Sequence, residues 1–141
     1  MKAAIIFIFL LTFSYSFGFA IAQDECSKEH RIQIFRIDAG SQRLFVQYSE
    51  KDFKSSASIR NILEDVRSHV RDCRHDWSED WSVSFFREKK YAAYKDEPEM
   101  IKFIKEGSWA RNYMVEYSNR TKTLTTYPLQ PEKQRIYKFS Q

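Results

Sequence analysis

Residues 71–81, RDCRHDWSEDW, bring a cysteine, a histidine, two tryptophans and four acids together in one short run. Asp72, Asp76 and Asp80 follow at four-residue steps. On a continuing helix they would share one face, with His75 and Glu79 close by, and a cluster of carboxylates is what a hard cation requires. Two features count against a metal. No glycine bends the run into a calcium loop, and the ligand order matches no zinc or calcium pattern. Four acids at the end of a helix also oppose its macrodipole, which Arg71, Arg74 and His75 would offset. The run is expected to be a solvated helix exit, with neither a metal nor a cofactor.

The second chemistry is acid–base catalysis. His75 lies two residues after Cys73 and His30 four after Cys26. Cysteines joined in a disulfide hold their Cα atoms about 5.5 Å apart. The two imidazoles would then start from neighbouring points. Paired histidines beside an arginine or lysine can act as acid and base in phosphodiester cleavage, so a small nuclease-like hydrolase using His30 and His75 is one alternative. Nothing in the sequence aims the rings at each other, and solvated residues beside a staple are the expectation. His69, four residues after Asp65, is read as a boundary residue of a helix.

Other chemistries are excluded more firmly. After residue 22 the chain has only Gly40 and Gly107. Phosphate loops, dinucleotide folds and nucleophile elbows all depend on glycine for close backbone approach. Neither an H-E-x-x-H nor a C-x-x-C occurs.

Binding residues are easier to nominate. Arg87, Lys89 and Lys90 stand beside Tyr91 and Tyr94, and Trp77 lies in a polar linker. Arg111, Arg120, Lys122, Lys133, Arg135 and Lys138 make the C-terminal region basic against Glu116 and Glu132. Aromatic and cationic side chains so mixed suit a protein surface, an anionic envelope polymer or a glycan. Half-buried strands and lysine-protected edges account for the same residues structurally. The charges are interspersed along the chain, and nucleic acid is not the expected partner.

The chain opens MKAAIIFIFLLTFSYSFGFAIAQDEC. Lys2, the apolar run from Ile5 to Phe13 and the Ala20-Ile21-Ala22 ending read as a secretory signal, cleaved before Gln23. No later run of apolar residues reaches membrane length. Residues 23–141 are expected to form a single domain, secreted or periplasmic. Removing residues 1–22 takes away one lysine and no acid, so the formal charge of +4 falls by one. In an oxidising compartment Cys26 and Cys73 are expected to pair. The closed loop would add about 4 kcal/mol in the chain-entropy account. Asn119-Arg120-Thr121 is a glycosylation sequon if the host is eukaryotic.

Regular elements must position these residues. The runs at 31–37 and 43–49 are rich in β-branched and aromatic residues around Asp38-Ala39-Gly40-Ser41, which predicts a hairpin. Ile59, Ile62, Leu63, Val66, Val70 and Cys73 recur at three- and four-residue steps, predicting an amphipathic helix over about 58–74 capped within SSAS, 55–58. WSVSFFR (81–87) alternates and is expected to pair with YAAYK (91–95) as a second hairpin. Asp96-Glu97-Pro98-Glu99 signals the start of a short helix over about 98–106 that stops at Gly107. Residues 112–118 and 123–128 predict a third hairpin, and 135–139 a last short strand. The order ββα-ββα-ββ(β) specifies an α+β fold, a mostly antiparallel sheet with both helices on one face.

The expected function is that of a small exported binding or interaction protein, inhibitor-like and non-catalytic, acting in the envelope or extracellular space. The alternatives are the hydrolase above and a glycan-binding module with an aromatic face.

Overall fold

The computed structural model describes residues 32–49, 51 and 53–139. The α+β architecture is as expected: six strands form one sheet in the order β1-β2-β3-β4-β5-β6. They are β1 (Ile34–Asp38), β2 (Arg43–Gln47), β3 (Ser82–Phe86), β4 (Tyr113–Ser118), β5 (Thr123–Thr126) and β6 (Arg135–Lys138). Every adjacent pair is antiparallel except β2 and β3. That exception follows from α1 (Ser56–Cys73), whose 18 residues carry the chain back along the sheet before β3 begins. A return of that length makes the next strand parallel.

Helix α1 forms for the reasons its sequence suggests. The Ser55 hydroxyl accepts a hydrogen bond from the Ser58 backbone N–H at 3.1 Å, capping the first turn. Leu63, Val66 and Val70 then lie buried against Leu44, Val46, Val83, Phe85, Val115 and Tyr117. His69 is buried as well, 1% exposed, and so belongs to the interior of this packing. It is not the boundary residue expected.

Two expectations are corrected. Residues 91–95 form no strand. Lys89–Ala92 is instead a short helix, α2, with Tyr91 and Ala92 buried. Tyr91 lies in this helix and Tyr94 just past its C-cap Ala93, and both rings are buried. The helices also do not share one face. α2, α3 (Glu97–Lys105) and α4 (Ser108–Asn112) supply a second apolar cluster of Tyr91, Ala92, Tyr94 and Trp109 around Phe45, Phe86 and Tyr113. Phe45 lies between Leu44 and Val46 in β2, so its side chain emerges on the face opposite α1.

The start of α3 matches its signature. The Asp96 carboxylate accepts from the Glu99 N–H at 2.9 Å, and Glu99 reaches back to accept from the Lys95 N–H. Gly107 closes the helix at φ 67°, a left-handed conformation that suits glycine. α4 follows at once and buries Trp109. No helix among the described residues is long and apolar enough to cross a membrane.

Candidate functional site

The run 71–81 is the exit from α1. The Arg74 N–H bonds to the Val70 carbonyl and the Trp77 N–H to that of Arg74, turning the chain out of the helix. Three of its four acids have separate partners. Asp72 lies 3.2 Å from Arg71, and Asp80 lies 3.9 Å from Arg120. Glu79 turns to β4, where its carboxylate accepts from the Asn119 side-chain amide at 2.8 Å and its carbonyl from the same nitrogen at 2.9 Å. Among the described residues no three of His, Cys, Asp or Glu converge as metal ligands. His75 and Asp76 are exposed. Cys73 ends the helix half-buried and is not a free cysteine. Cys26 and His30 lie outside the described residues, as does residue 23.

The Glu79 contacts bear on the sequon. Asn119 is 3% exposed, and its amide nitrogen, the atom a glycan would take, is committed twice to Glu79. Its carbonyl oxygen accepts from the Lys122 ammonium at 2.8 Å. Asn119 is the latch of the β4–β5 turn.

The six nominated binding residues divide between the two sides of the sheet. Trp77 packs onto the α1 cluster. Tyr91 and Tyr94 are buried in the opposite one. The Arg36 guanidinium lies 3.7 Å above the Tyr94 ring and donates to the Tyr94 carbonyl at 3.0 Å. Burial raises the Tyr94 phenol's pKa. Arg87, Lys89 and Lys90 are exposed. Lys90 is paired with Glu88 at 3.1 Å, and the Lys89 ammonium sits 4.7 Å over the Phe35 ring.

What the structure assembles is a polar network that sequence inspection missed. Arg43 projects from β2 on the face opposite α1. Its guanidinium donates to the Ser82 hydroxyl at 3.0 Å and to the Glu116 carboxylate at 3.0 Å. It also reaches the Ser84 and Tyr113 hydroxyls at 3.5 Å each. These two hydroxyls bond to one another at 2.8 Å, both buried. Burial holds the Tyr113 phenol far above the usual tyrosine range, so it stays neutral as both donor and acceptor. No nucleophile is presented here: Ser84 is buried beneath Arg43, and the network has neither histidine nor free thiol.

The network marks the boundary of the helical cover. Arg43 pairs with Ser82, Ser82 with Ser118, Ser118 with Thr123 and Thr123 with Lys138. In the neighbouring row Glu116 pairs with Thr125 and Thr125 with Ile136. Side chains directly opposite in register lie on one face. The open half of the sheet is therefore a continuous surface of hydroxyls, two cations, one carboxylate and Ile136. Glu116, Ser118, Thr123 and Thr125 are partly exposed, and all of β6 is exposed.

A cavity of about 410 Å³ opens on the other face, near the start of α1. Val46, Ile62 and Phe85 form its apolar part, and Gln33, Lys51 and Asn61 are exposed around it. Its carboxylate, Asp65, accepts from the Ile32 N–H at 2.8 Å.

No family model, no curated protein and no solved structure matches the chain at a significant level.

Proposed function

We propose that this chain is an exported, non-catalytic binding domain, and that it takes a protein partner on the open half of its sheet. One observation carries the reading. The face opposite α1 is covered by α2–α4 over Phe45, Phe86 and Tyr113, but β5 and β6 extend beyond that cover with a mix of hydroxyl, basic and apolar groups. Ile136 is 61% exposed there. Rigid surfaces that mix apolar anchors with a polar rim are suited to protein recognition. A purely cationic surface would suit an anionic envelope polymer better. Residues 1–22 and the two cysteines support export, with a Cys26–Cys73 bridge as part of the mature fold.

The hydrolase alternative lacks support at His75, which is exposed and belongs to no cluster of three His, Cys, Asp or Glu among the described residues. The glycan alternative needs a row of exposed rings, whereas Tyr91, Tyr94, Tyr113 and Tyr117 are core residues.

Capture from the host's envelope fraction tests the proposal. Wild type and His75→Ala should retain the same discrete proteins, and Thr125→Arg should lose them without losing thermal stability. Retention of a polyanion that elutes with moderate salt would replace the protein partner with a polymer. Loss through His75→Ala would return the hydrolase reading.

A further inference from the structure

The open half of the sheet ends in a strand edge, and this edge has a defined register. The Phe139 N–H donates to the Lys122 carbonyl at 2.9 Å, so residue 139 points its backbone groups toward β5. Backbone direction alternates along a strand. Tyr137 and Arg135 therefore also face β5, where they pair with Leu124 and Thr126. Ile136 and Lys138 point their N–H and C=O groups the other way. Among the described residues β6 pairs only with β5.

This edge is held, not frayed. Phe139 packs on Tyr117 with ring centroids 6.4 Å apart. At the other end the Gln134 side chain donates to the Pro128 carbonyl at 3.2 Å, and Gln130 donates to the Ala110 carbonyl at 2.8 Å. Between these anchors Ile136 is 61% and Tyr137 51% exposed, one on each face of the sheet. An added strand would cover both.

Charge selects the occupant. From Tyr117 to Phe139 the chain carries Arg120, Lys122, Lys133, Arg135 and Lys138 against Glu132 alone. A second copy's β6 would bring another Arg135 and Lys138 to an edge that already carries both, and adding like charge is how lysine-rich edges block self-association. A strand bearing acids meets the opposite situation. We propose that β6 is a strand-addition site for an extended, acidic segment of a partner protein. Its backbone would exchange hydrogen bonds with Ile136 and Lys138 while its carboxylates meet Arg135 and Lys138. This rests on the binding face proposed above and specifies how that face is used.

Amide hydrogen exchange by NMR on the mature protein tests it residue by residue. The probe is the blocked hexapeptide Val-Glu-Thr-Thr-Glu-Val, whose two glutamates are three apart and so fall on opposite faces, as Arg135 and Lys138 do; it is compared with its lysine counterpart. In the free protein the Tyr137 and Phe139 amides should be protected and those of Ile136 and Lys138 should exchange freely. At ~90% occupancy by the acidic peptide the latter two should slow about tenfold, since exchange then needs the unbound fraction. The lysine peptide should leave them unchanged, and Lys138→Glu should reverse the preference. No slowing with the acidic peptide overturns strand addition. If that peptide shifts the resonances of Thr123 and Thr125 without slowing exchange at 136 and 138, strand addition fails but the binding face stands. Protection that grows with protein concentration alone makes a second copy the occupant. Protection already present in dilute free protein makes it a segment of the chain itself. Either result overturns the proposal.

Discussion

Tyr113→Phe removes one oxygen from the Arg43 network and should have an effect that depends on pH. At neutral pH the Ser84 hydroxyl loses its 2.8 Å partner and keeps only Arg43 at 3.5 Å. Leaving a buried hydroxyl poorly satisfied costs about 1–2 kcal/mol, so the variant should be less stable by that amount. In alkali the difference shrinks. The phenol ionises near its ordinary 10.0 in the unfolded chain but far higher in the fold, because burial disfavours the anion. Below 10 both states are protonated and the wild type has its full stability. Above 10 the unfolded state releases a proton that the native state keeps, so wild-type stability falls by about 1.4 kcal/mol per pH unit from this group. Phenylalanine has no proton to lose. Tyr94, also raised by burial, contributes equally to both proteins and cancels. The gap between wild type and variant should therefore close by about pH 11. Urea unfolding at pH 7, 9 and 11 with a common slope reads the gap directly. A gap that is constant across this range would show that Tyr113 is solvated and that the network is not a buried one.

Val66→Asp should unfold the protein, because Val66 is fully buried at the centre of the α1 stripe and the new carboxylate would have no partner. Arg67→Asp should be milder but measurable, near 1 kcal/mol, since the Arg67 guanidinium donates to the Tyr117 hydroxyl at 3.0 Å; equal losses in thermal melts would invalidate the helical register. The mature protein should begin at Gln23 and take up no alkyl groups until it is reduced, then two, by intact mass; uptake of two without reduction would remove the Cys26–Cys73 bridge.

Much of the fold was legible where one physical rule operated alone. The α1 stripe repeats over several turns, and its serine cap and the Asp96/Glu99 capping box need only local spacing. Each turned out within a few residues of expectation. The segment at 91–95 failed because two rules competed. Tyrosine favours strands, and α2, only four residues long, is too short to display a helical period. The second core left a readable signal that alternation concealed. Leu44-Phe45-Val46 and Tyr113-Met114-Val115 are unbroken apolar runs, which mark strands covered on both faces, whereas attention to Leu44 and Val46 alone implies one. The Arg43 network had no local signature. Arg43 and Glu116 are 73 positions apart and meet only because β2, β3 and β4 are neighbours in this register.

The position of the open face follows from topology. The helices on the face opposite α1 all lie in the connection from β3 to β4, so their cover falls on β2, β3 and β4. β5 and β6 come after the last helix, joined to the sheet by a turn and a short loop. No element among the described residues remains to cover them from that side. The residues there are consistent with this exposure. Strands β2 to β4 place Phe45, Phe86 and Tyr113 beneath the helices, whereas β5 and β6 place Thr123, Thr125 and Lys138 on the same face. Ile136 is the exception to that polar pattern. A side chain of its size, mostly solvated on an anchored edge, gains about 25 cal/mol for each Å² that a partner removes from water. Ile136 is therefore where the energetic case for a bound partner is strongest.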